Sequence, residues 1–571
     1  MKQIFLFLFT VVSLSFNTNG QDSLVIVKDY NDFFFPTQDR SMVVLSSTQL
    51  LHAGQTAMFG NNIWQTDGTT PNTSVFLSTS NPISGYSPTA ITTALGKIFF
   101  IHQINSTKYL YVSDGTSAGT IRLCKLGSSS NTNLYEGMIN EPKVANNRLF
   151  FFADSSATGI ELWSTDGTFN GTSMIKDIIS GSSSSISNPR STVLNDKFYF
   201  TANNITNGGE LWVSDGTAAN TEMVYDLHSG STSTAFMNKM FVFNNNIYFT
   251  STVSGYQYGL YKSDGIVGTS PTLVSDNLTL TSNTFVFNNK IYFGATVYIP
   301  TTAALYGDLY SISTNSTITL ESDLTQTSPE VVNGMNYILG SAGDHIILSV
   351  SAQLSGIEPW SYNTLTSTAN LLTDIRTGSA NGLVIDNFSY ETFFSNKISS
   401  IGNKLVFIAQ SQENGVSSGN GSHQEEVWVT DGTSSGTGKA LSKLVLTNYQ
   451  DYAFYSMKNF NGDVYMYGCF YNAGSSVAKL WKLRLGVTTN TLSKKSIDFN
   501  LYPNPTNDYF QFTNVPLGSD VRITDINGKI VFTKKYTSID DKIITSNFIK
   551  GIYFVTIENE DTLSTKKLII E

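Results

Sequence analysis

The chain has 571 residues, of which 12% are aromatic and only 14% charged, and its formal net charge is −10. No basic stripe or aromatic–basic cluster offsets that charge, which argues against partners rich in phosphate, nucleic acid first among them, and against anionic membranes. Such a length is too great for one ordinary compact domain unless a repeated unit builds it, and abundant Ser, Thr, Asn and Gly suit strands joined by many turns rather than long helices.

The first twenty residues read as an export signal. Lys2 supplies a positive start, Ile4 to Phe16 an apolar run, and Asn17 to Gly20 a polar stretch of small residues before Gln21. The apolar run is shorter than the roughly 20 residues a bilayer requires. Cleavage is expected after Gly20, and the lack of a cysteine there argues against a lipid anchor. No later segment reads as a transmembrane span.

From residue 21 to 496 the chain repeats. Ile63-Trp64-Gln65-Thr66-Asp67-Gly68-Thr69 recurs as Leu110-Tyr111-Val112-Ser113-Asp114-Gly115-Thr116, and more fully over Glu161 to Thr168, Glu210 to Thr217 and Glu426 to Thr433. The aromatic position falls at Trp64, Tyr111, Trp163, Trp212, Tyr261, Tyr310, Trp360, Trp428 and Trp481, which takes in all six tryptophans of the protein. Spacings of 47 to 53 residues, with one of 68, suit a four-stranded propeller blade. Within a unit, Met240 to Phe243 and Ile247 to Thr250 flank asparagines that tolerate positive φ, and so predict a hairpin. Two further strands follow, the aromatic one and one that ends in Asp177, Asp226, Asp276, Asp323 or Asp374.

Leu24 to Asp29 is an outer strand without a unit of its own. Asp29 precedes Trp64 by the same interval that separates Asp177 from Trp212, and Lys495 replaces the expected aspartate after Trp481. The N-terminal strand therefore is in phase to complete the last blade and remove two exposed sheet edges. The expectation is an all-β propeller of eight or nine blades in one ring, with two smaller rings as the alternative. The repeat resembles the ELWxTDGT-type repeats of secreted bacterial proteins over about residues 23 to 496.

Each recurring residue has a structural and a functional reading. The aromatic ring suits packing between blades, with sugar stacking as the lesser reading. Asp67, Asp114, Asp166, Asp215, Asp264 and Asp431 suit tight Asp-Gly turns, with calcium ligation as the lesser reading, because each turn offers one carboxylate. Glu161, Glu210, Glu358 and Glu426 precede their aromatic by two residues and so share its side of the strand, where repetition favours structure over acid–base chemistry. The five histidines form no metal-binding spacing, and neither a nucleophile elbow nor a phosphate-cradling loop is visible. No cofactor is called for. Cys124 and Cys469 fall in distant units and read as buried thiols.

What does not repeat is the better pointer to activity, since loops on a rigid scaffold carry binding. One insertion around Ile385 to Lys397 holds Phe388, Tyr390, Phe393 and Phe394; a second, 411–424, holds Glu413 and His423; a third spans Val297 to Tyr306. Phe388, Tyr390, Phe393, Glu413 and His423 are the candidate binding residues.

Residues 497–571 break the period and alternate apolar with polar residues, which predicts a small β-sandwich. Four motifs occur in order: Leu501-Tyr502-Pro503-Asn504-Pro505, a strand turning at Asn527-Gly528-Lys529, Gly551-Ile552-Tyr553-Phe554, and Lys566-Lys567-Leu568-Ile569-Ile570. Together they resemble the type A sorting domain of type IX secretion cargo in Bacteroidota. The resemblance implies recognition by the outer-membrane translocon, removal after passage, and release or attachment to surface lipopolysaccharide. Pro503, Asn504, Pro505, Gly528, Lys529, Gly551, Tyr553 and Lys567 carry it. The expected protein is a secreted or cell-surface binding and adhesion propeller that contacts a glycan or protein; a polysaccharide-active enzyme with a loop-built site and a structural surface component are the alternatives.

Overall fold

The structure is a computed structural model that describes residues 23–30, 42–56, 60–78, 88–116, 118–128, 142–155, 157–187, 189–230, 239–254, 257–297, 307–324, 332–378, 380–383, 397–410, 425–440, 451–472, 475–485, 499–515, 519–525, 530–536, 538, 542–546, 548–558 and 563–571. The export signal, the candidate residues Phe388, Tyr390, Phe393, Glu413 and His423, and Gly528 and Lys529 lie outside the described residues. Among the described residues no helix is long and apolar enough to cross a membrane.

Two compact units are present, one of them Leu24–Arg484 and the other including Leu485–Glu571. The larger unit holds nine four-stranded sheets in chain order, each of strands a to d counted outward along the sheet. Blade 1 comprises Met42–Ser46, Gln49–Thr56, Gly60–Thr66 and Ser74–Ser78. Blades 2 to 8 begin at Thr89, Lys143, Ser191, Met240, Leu278, Val332 and Ile398. Blade 9 takes Asp451–Phe460, Asp463–Asn472 and Ser475–Arg484 from the end of the repeat and Ser23–Asp29 from the N-terminus, which lies beside Ser475–Arg484 as strand d. The ring is single, and it has nine blades.

Apolar layers between neighbouring blades hold the ring. Between blades 3 and 4, Phe150, Phe152, Leu162, Phe198, Phe200 and Trp212 form one cluster, with Phe150 and Phe198 stacked at 4.7 Å. The repeat aromatics of blades 3 to 8 pack toward the blade before their own. Trp163 meets blade 2, Trp212 blade 3, Tyr261 blade 4, Tyr310 blade 5, Trp360 blade 6 and Trp428 blade 7. Burying one such ring contributes about 2–3 kcal/mol. The recurrence at one strand position follows from the recurrence of the interface.

The join between blades 9 and 1 is built the same way, with the N-terminal strand added. Val27, Tyr30, Leu50, Trp64, Tyr465, Tyr467 and Leu480 share a core. The Tyr30 hydroxyl lies 2.7 Å from His52 Nε2, its ring meets Trp64 edge-on at 4.9 Å, and Lys479 pairs with Asp29 at 2.9 Å.

Antiparallel succession sends the a–b and c–d turns to one end of every blade and the b–c and d–a connections to the other. All nine a–b turns have two residues between the strands. Several are Asn-Asn or Asn-Asp with both residues at positive φ, as in Asn146-Asn147, Asn195-Asp196 and Asn244-Asn245, the geometry that matches strand twist in a tight hairpin. At the opposite end the b–c connection runs from two residues, between Ile104 and Thr107, to fourteen, between Gln410 and Glu425. The d–a connection there runs from two, between Ser275 and Leu278, to twenty-six, between Leu371 and Ile398. The c–d turns, on the same face as the a–b turns, have only four to eight residues, so one face of the ring is nearly uniform and the other variable.

In the smaller unit, a three-stranded sheet (Asn500–Tyr502, Tyr509–Thr513, Lys542–Ile544) and a four-stranded sheet share one core. The four-stranded sheet runs Ile530–Lys535, Asp520–Asp525, Gly551–Glu558, Leu563–Ile570. Phe499, Phe510, Phe512, Val521, Ile523, Val555, Ile557 and Leu568 fill the space between the sheets.

Candidate functional faces of the ring and the tail

On the uniform face, the Asp-Gly-Thr turn satisfies its own polar groups. In the copies at Asp67, Asp114, Asp166, Asp215 and Asp431, carboxylate Oδ1 accepts the amide of the threonine two residues on at 2.9 Å. The hydroxyl of that threonine donates to the same oxygen. The residue before the aspartate accepts the glycine amide through its hydroxyl, as Thr66 does from Gly68 at 2.9 Å. The turn at Asp264 lacks the threonine and so the hydroxyl bond, but keeps the amide bond from Ile266 at 2.9 Å and that from Gly265 to the Ser263 hydroxyl at 3.0 Å. The bonds from the Thr69 hydroxyl and the Asn72 carboxamide hold the Asp67 carboxyl below its ordinary range. A carboxylate so occupied is part of a turn, and among the described residues no group of three or more His, Cys, Asp or Glu side chains could hold a metal ion.

The same turn touches the blade before it. Gly68 lies so close to Tyr465 that a Cβ would stand 2.0 Å from its hydroxyl, and Lys482 donates to the Gly68 carbonyl at 3.1 Å. Lys97 reaches the Gly167 carbonyl at 3.0 Å, and Tyr199 the Gly265 carbonyl at 3.1 Å. The turn therefore joins blade to blade, a role that local patterning does not reveal.

On the variable face, buried glutamates tether the d–a connections. Glu358 accepts the amides of Ile375 at 3.0 Å and Gly382 at 2.7 Å, Glu210 that of Leu227 at 3.2 Å, and Glu161 that of Ser185 at 3.0 Å. Burial pushes the Glu358 carboxyl up to about 8 and that of Glu210 up to about 7, and the neighbouring Asp374 and Asp226 add to the push. Three separate blades hold these side chains, each committed to its own connection, so they supply no paired acid and base.

A pH effect follows. An ordinary glutamate takes up its proton near 4.5, whereas folded Glu358 does so at about 8, so between those values the folded chain binds more protons. Its contribution is full below 4.5 and declines as pH rises toward 8. Glu358→Gln is expected to match the parent protein at pH 5 and to exceed it by roughly 1–2 kcal/mol at pH 9. Urea midpoints across that range check this, and parallel profiles for the two proteins would show that Glu358 stays ionised.

Blade 8 departs from the pattern. Glu426, two residues before Trp428, pairs with Lys439 at 3.0 Å. Its neighbour Glu425, on the opposite face of the strand, is buried against Lys397 at 2.5 Å and accepts the Phe454 amide of blade 9 at 2.7 Å. Lys397 ends the first insertion and Glu425 follows the second. This ion pair and the bond from the Gln410 amide to the Gly382 carbonyl at 2.7 Å pin the roots of both long connections together. The structure thus brings the roots of the two insertions to one end of one blade. The third, between Val297 and Asp308 in blade 6, leaves from the same face. Cys124 is a free thiol that burial pushes up to about 12.

In the tail, the sorting motifs meet at one sheet edge. The Asn504 carboxamide donates to the Lys567 carbonyl at 2.7 Å and accepts the Ile569 amide at 2.9 Å, as a neighbouring strand would. Thr506 continues the pairing, donating to the Ile569 carbonyl and accepting the Glu571 amide, both at 2.9 Å. Pro503 and Pro505, which cannot donate to a ladder, flank the one side chain that replaces it. Tyr553, two residues after Gly551, enters the core and donates to the Ile549 carbonyl at 2.7 Å.

Residues 500–571 match the family model described as the secretion system C-terminal sorting domain. The tail is a secretion sorting domain. A chain that carries it is exported to the cell surface or secreted, and it engages the type IX secretion machinery. No curated protein matches the chain in sequence.

Among solved structures, the β-propeller domain of the Trilobed protease from Pyrococcus furiosus is similar at 9% identity and a TM-score of 0.29, over 59% of this chain and 97% of that one. An uncharacterized protein of Listeria monocytogenes is similar at 12% and 0.33, over 59% and 95%. PorZ, a surface component of the type-IX secretion system of Porphyromonas gingivalis, is similar at 9% and 0.17, over 96% and 100%. The chain spans 58% to 63% of the length of two puromycin hydrolase chains and of the acylaminoacyl peptidase from Pyrococcus horikoshii.

Proposed function

We propose that this is a non-catalytic binding or adhesion protein of a bacterium of the Bacteroidota, exported through its signal peptide and the periplasm to the outer-membrane translocon. It presents the variable face of a nine-bladed ring to a glycan, a matrix component or a neighbouring cell. The observation that carries the reading is the contrast between the two faces. On one side the a–b turns all have two residues and the c–d turns only four to eight. The connections on the other side differ in length from blade to blade, as recognition loops on a fixed frame do. The buried glutamates are occupied by loop amides, and the turn aspartates by their own threonines, so the repeated residues serve the frame. Phe388, Tyr390, Phe393, Glu413 and His423 belong by sequence to the two connections of blade 8 whose roots Lys397 and Glu425 join, and they are the residues proposed to meet the ligand. Arrays of saccharides and matrix proteins probed with residues 21–496 are expected to show a ligand, and Tyr390→Ala with Phe393→Ala to weaken it at least tenfold. Binding that survives both substitutions moves the site elsewhere on the face, and measurable cleavage of a polysaccharide would overturn the non-catalytic reading.

A further inference from the structure

The four-stranded sheet of the tail turns one face inward and one outward. Tyr553, Val555 and Ile557 alternate into the core, together with Ile523 and Leu568 of the adjoining strands. Their neighbours alternate outward, and there the composition is not what a solvated face requires. Ile552 and Phe554 lie on a central strand of the sheet and are 41% and 40% exposed. Cross-strand pairing sets Ile569 opposite Ile552, and Lys567 and Thr524 opposite Phe554. Arg522 follows on the same face, opposite Thr556. An apolar ridge of Ile552, Phe554 and Ile569 is thus bordered by two exposed cations, Lys567 and Arg522; beyond Arg522 the register continues with Asp520, set opposite Glu558 on one side and Lys535 on the other.

A central strand makes this a broad platform rather than an open edge. Its outer edge beyond Leu563–Ile570 is already occupied by Asn504 and Thr506. Exposed aromatic and aliphatic side chains gathered on one sheet face mark an interaction surface, and exposed cations at its rim select the sign of the partner.

We propose that this face is the docking surface of the tail. The partner is an apolar protein surface rimmed by carboxylates, on the secretion machinery that receives the chain. Phe554 and Ile552 supply the desolvated centre and Lys567, the strand partner of Phe554, the electrostatic selection. The inference rests on the sorting reading of the tail and adds which face is read.

The test is export of the full chain in a bacterium that has this secretion system, followed as the fraction reaching the surface or medium. Three variants are compared with the parent protein: Ile552→Ser with Phe554→Ser, Lys567→Glu alone, and a chain lacking residues 499–571. Both substituted chains are expected to stay in the periplasm, with export reduced at least tenfold, while purified protein melts as the parent does. Lys567→Arg is expected to be exported normally. If the serine pair disturbs folding, Lys567→Glu, at an exposed position, decides the question by itself. Normal export of Lys567→Glu and the serine pair, with retention of the truncated chain, overturns the docking face and leaves the sorting reading intact. Normal export of the truncated chain overturns both.

Discussion

Removal of residues 21–30 is expected to open the ring. The deletion takes the outer strand from blade 9 and empties the sites of Val27 and Tyr30, both buried in the core between blades 9 and 1. It also removes the Tyr30–His52 hydrogen bond and the Lys479–Asp29 pair. Burial of two such side chains contributes about 4–5 kcal/mol, and the buried hydrogen bond about 1 more. That is of the same order as the whole stability of a typical domain, about 5–15 kcal/mol. The deletion also bares the edge of Ser475–Arg484, which invites pairing with other chains. The expected result is a midpoint lower by about 10 °C or more, with concentration-dependent association on gel filtration. A truncated chain that melts with the parent and stays monomeric would show that the ring does not depend on this strand.

The second large effect is expected at Gly68. Its φ of +95° disfavours any side chain, and a Cβ there meets the Tyr465 hydroxyl of blade 9 at 2.0 Å. Gly462, at a φ of +78°, serves as the comparison, because a Cβ added there would meet nothing within 4 Å. Gly462→Ala is expected to cost about 1 kcal/mol, the conformational part alone. Gly68→Ala is expected to cost roughly 3–4 kcal/mol, because the clash at the blade junction adds to it. Combining it with Tyr465→Phe, which removes the obstructing hydroxyl, should recover part of the difference as a coupling in the double-mutant cycle. Additive losses would mean that the turn and the neighbouring blade are independent.

The parts of the fold that were legible in the sequence are the local ones. Period, strand count and hairpins could be read from Trp64 to Trp481 because each blade repeats the same interface, so the same residue returns to the same place. The phase of Leu24 to Asp29 pointed to the last blade for the same reason. Blade number stood between eight and nine until the sheets resolved it as nine. The twin glutamates of blade 8 show the limit. A one-residue choice between Glu425 and Glu426 reverses the face of the strand, and the motif alone selects Glu426, whereas the buried tether is Glu425. Nothing in its sequence marks Glu425, because its partners Lys397 and Phe454 lie 28 and 29 residues away.

For the same reason the binding candidates were found as insertions but not as neighbours. That the insertions around 385–397 and 411–424 leave from one end of blade 8 depends on the alternation of strand direction. The exposure of Ile552 and Phe554 in the tail had no local signature either, since the strand alternates there as any two-sided strand would. The repeat, the turn chemistry and the sorting tail could be read without coordinates, because each is written in residues that interact with near neighbours in the chain. The exact blade number, the contact of each turn with the blade before it and the contrast between the two faces required the assembled ring. Those features join residues hundreds of positions apart, as Asn461 of blade 9 bonds to the Ser47 carbonyl of blade 1 at 2.7 Å. Pairing of that kind is fixed by which surfaces meet when the chain closes on itself, and no local pattern records it.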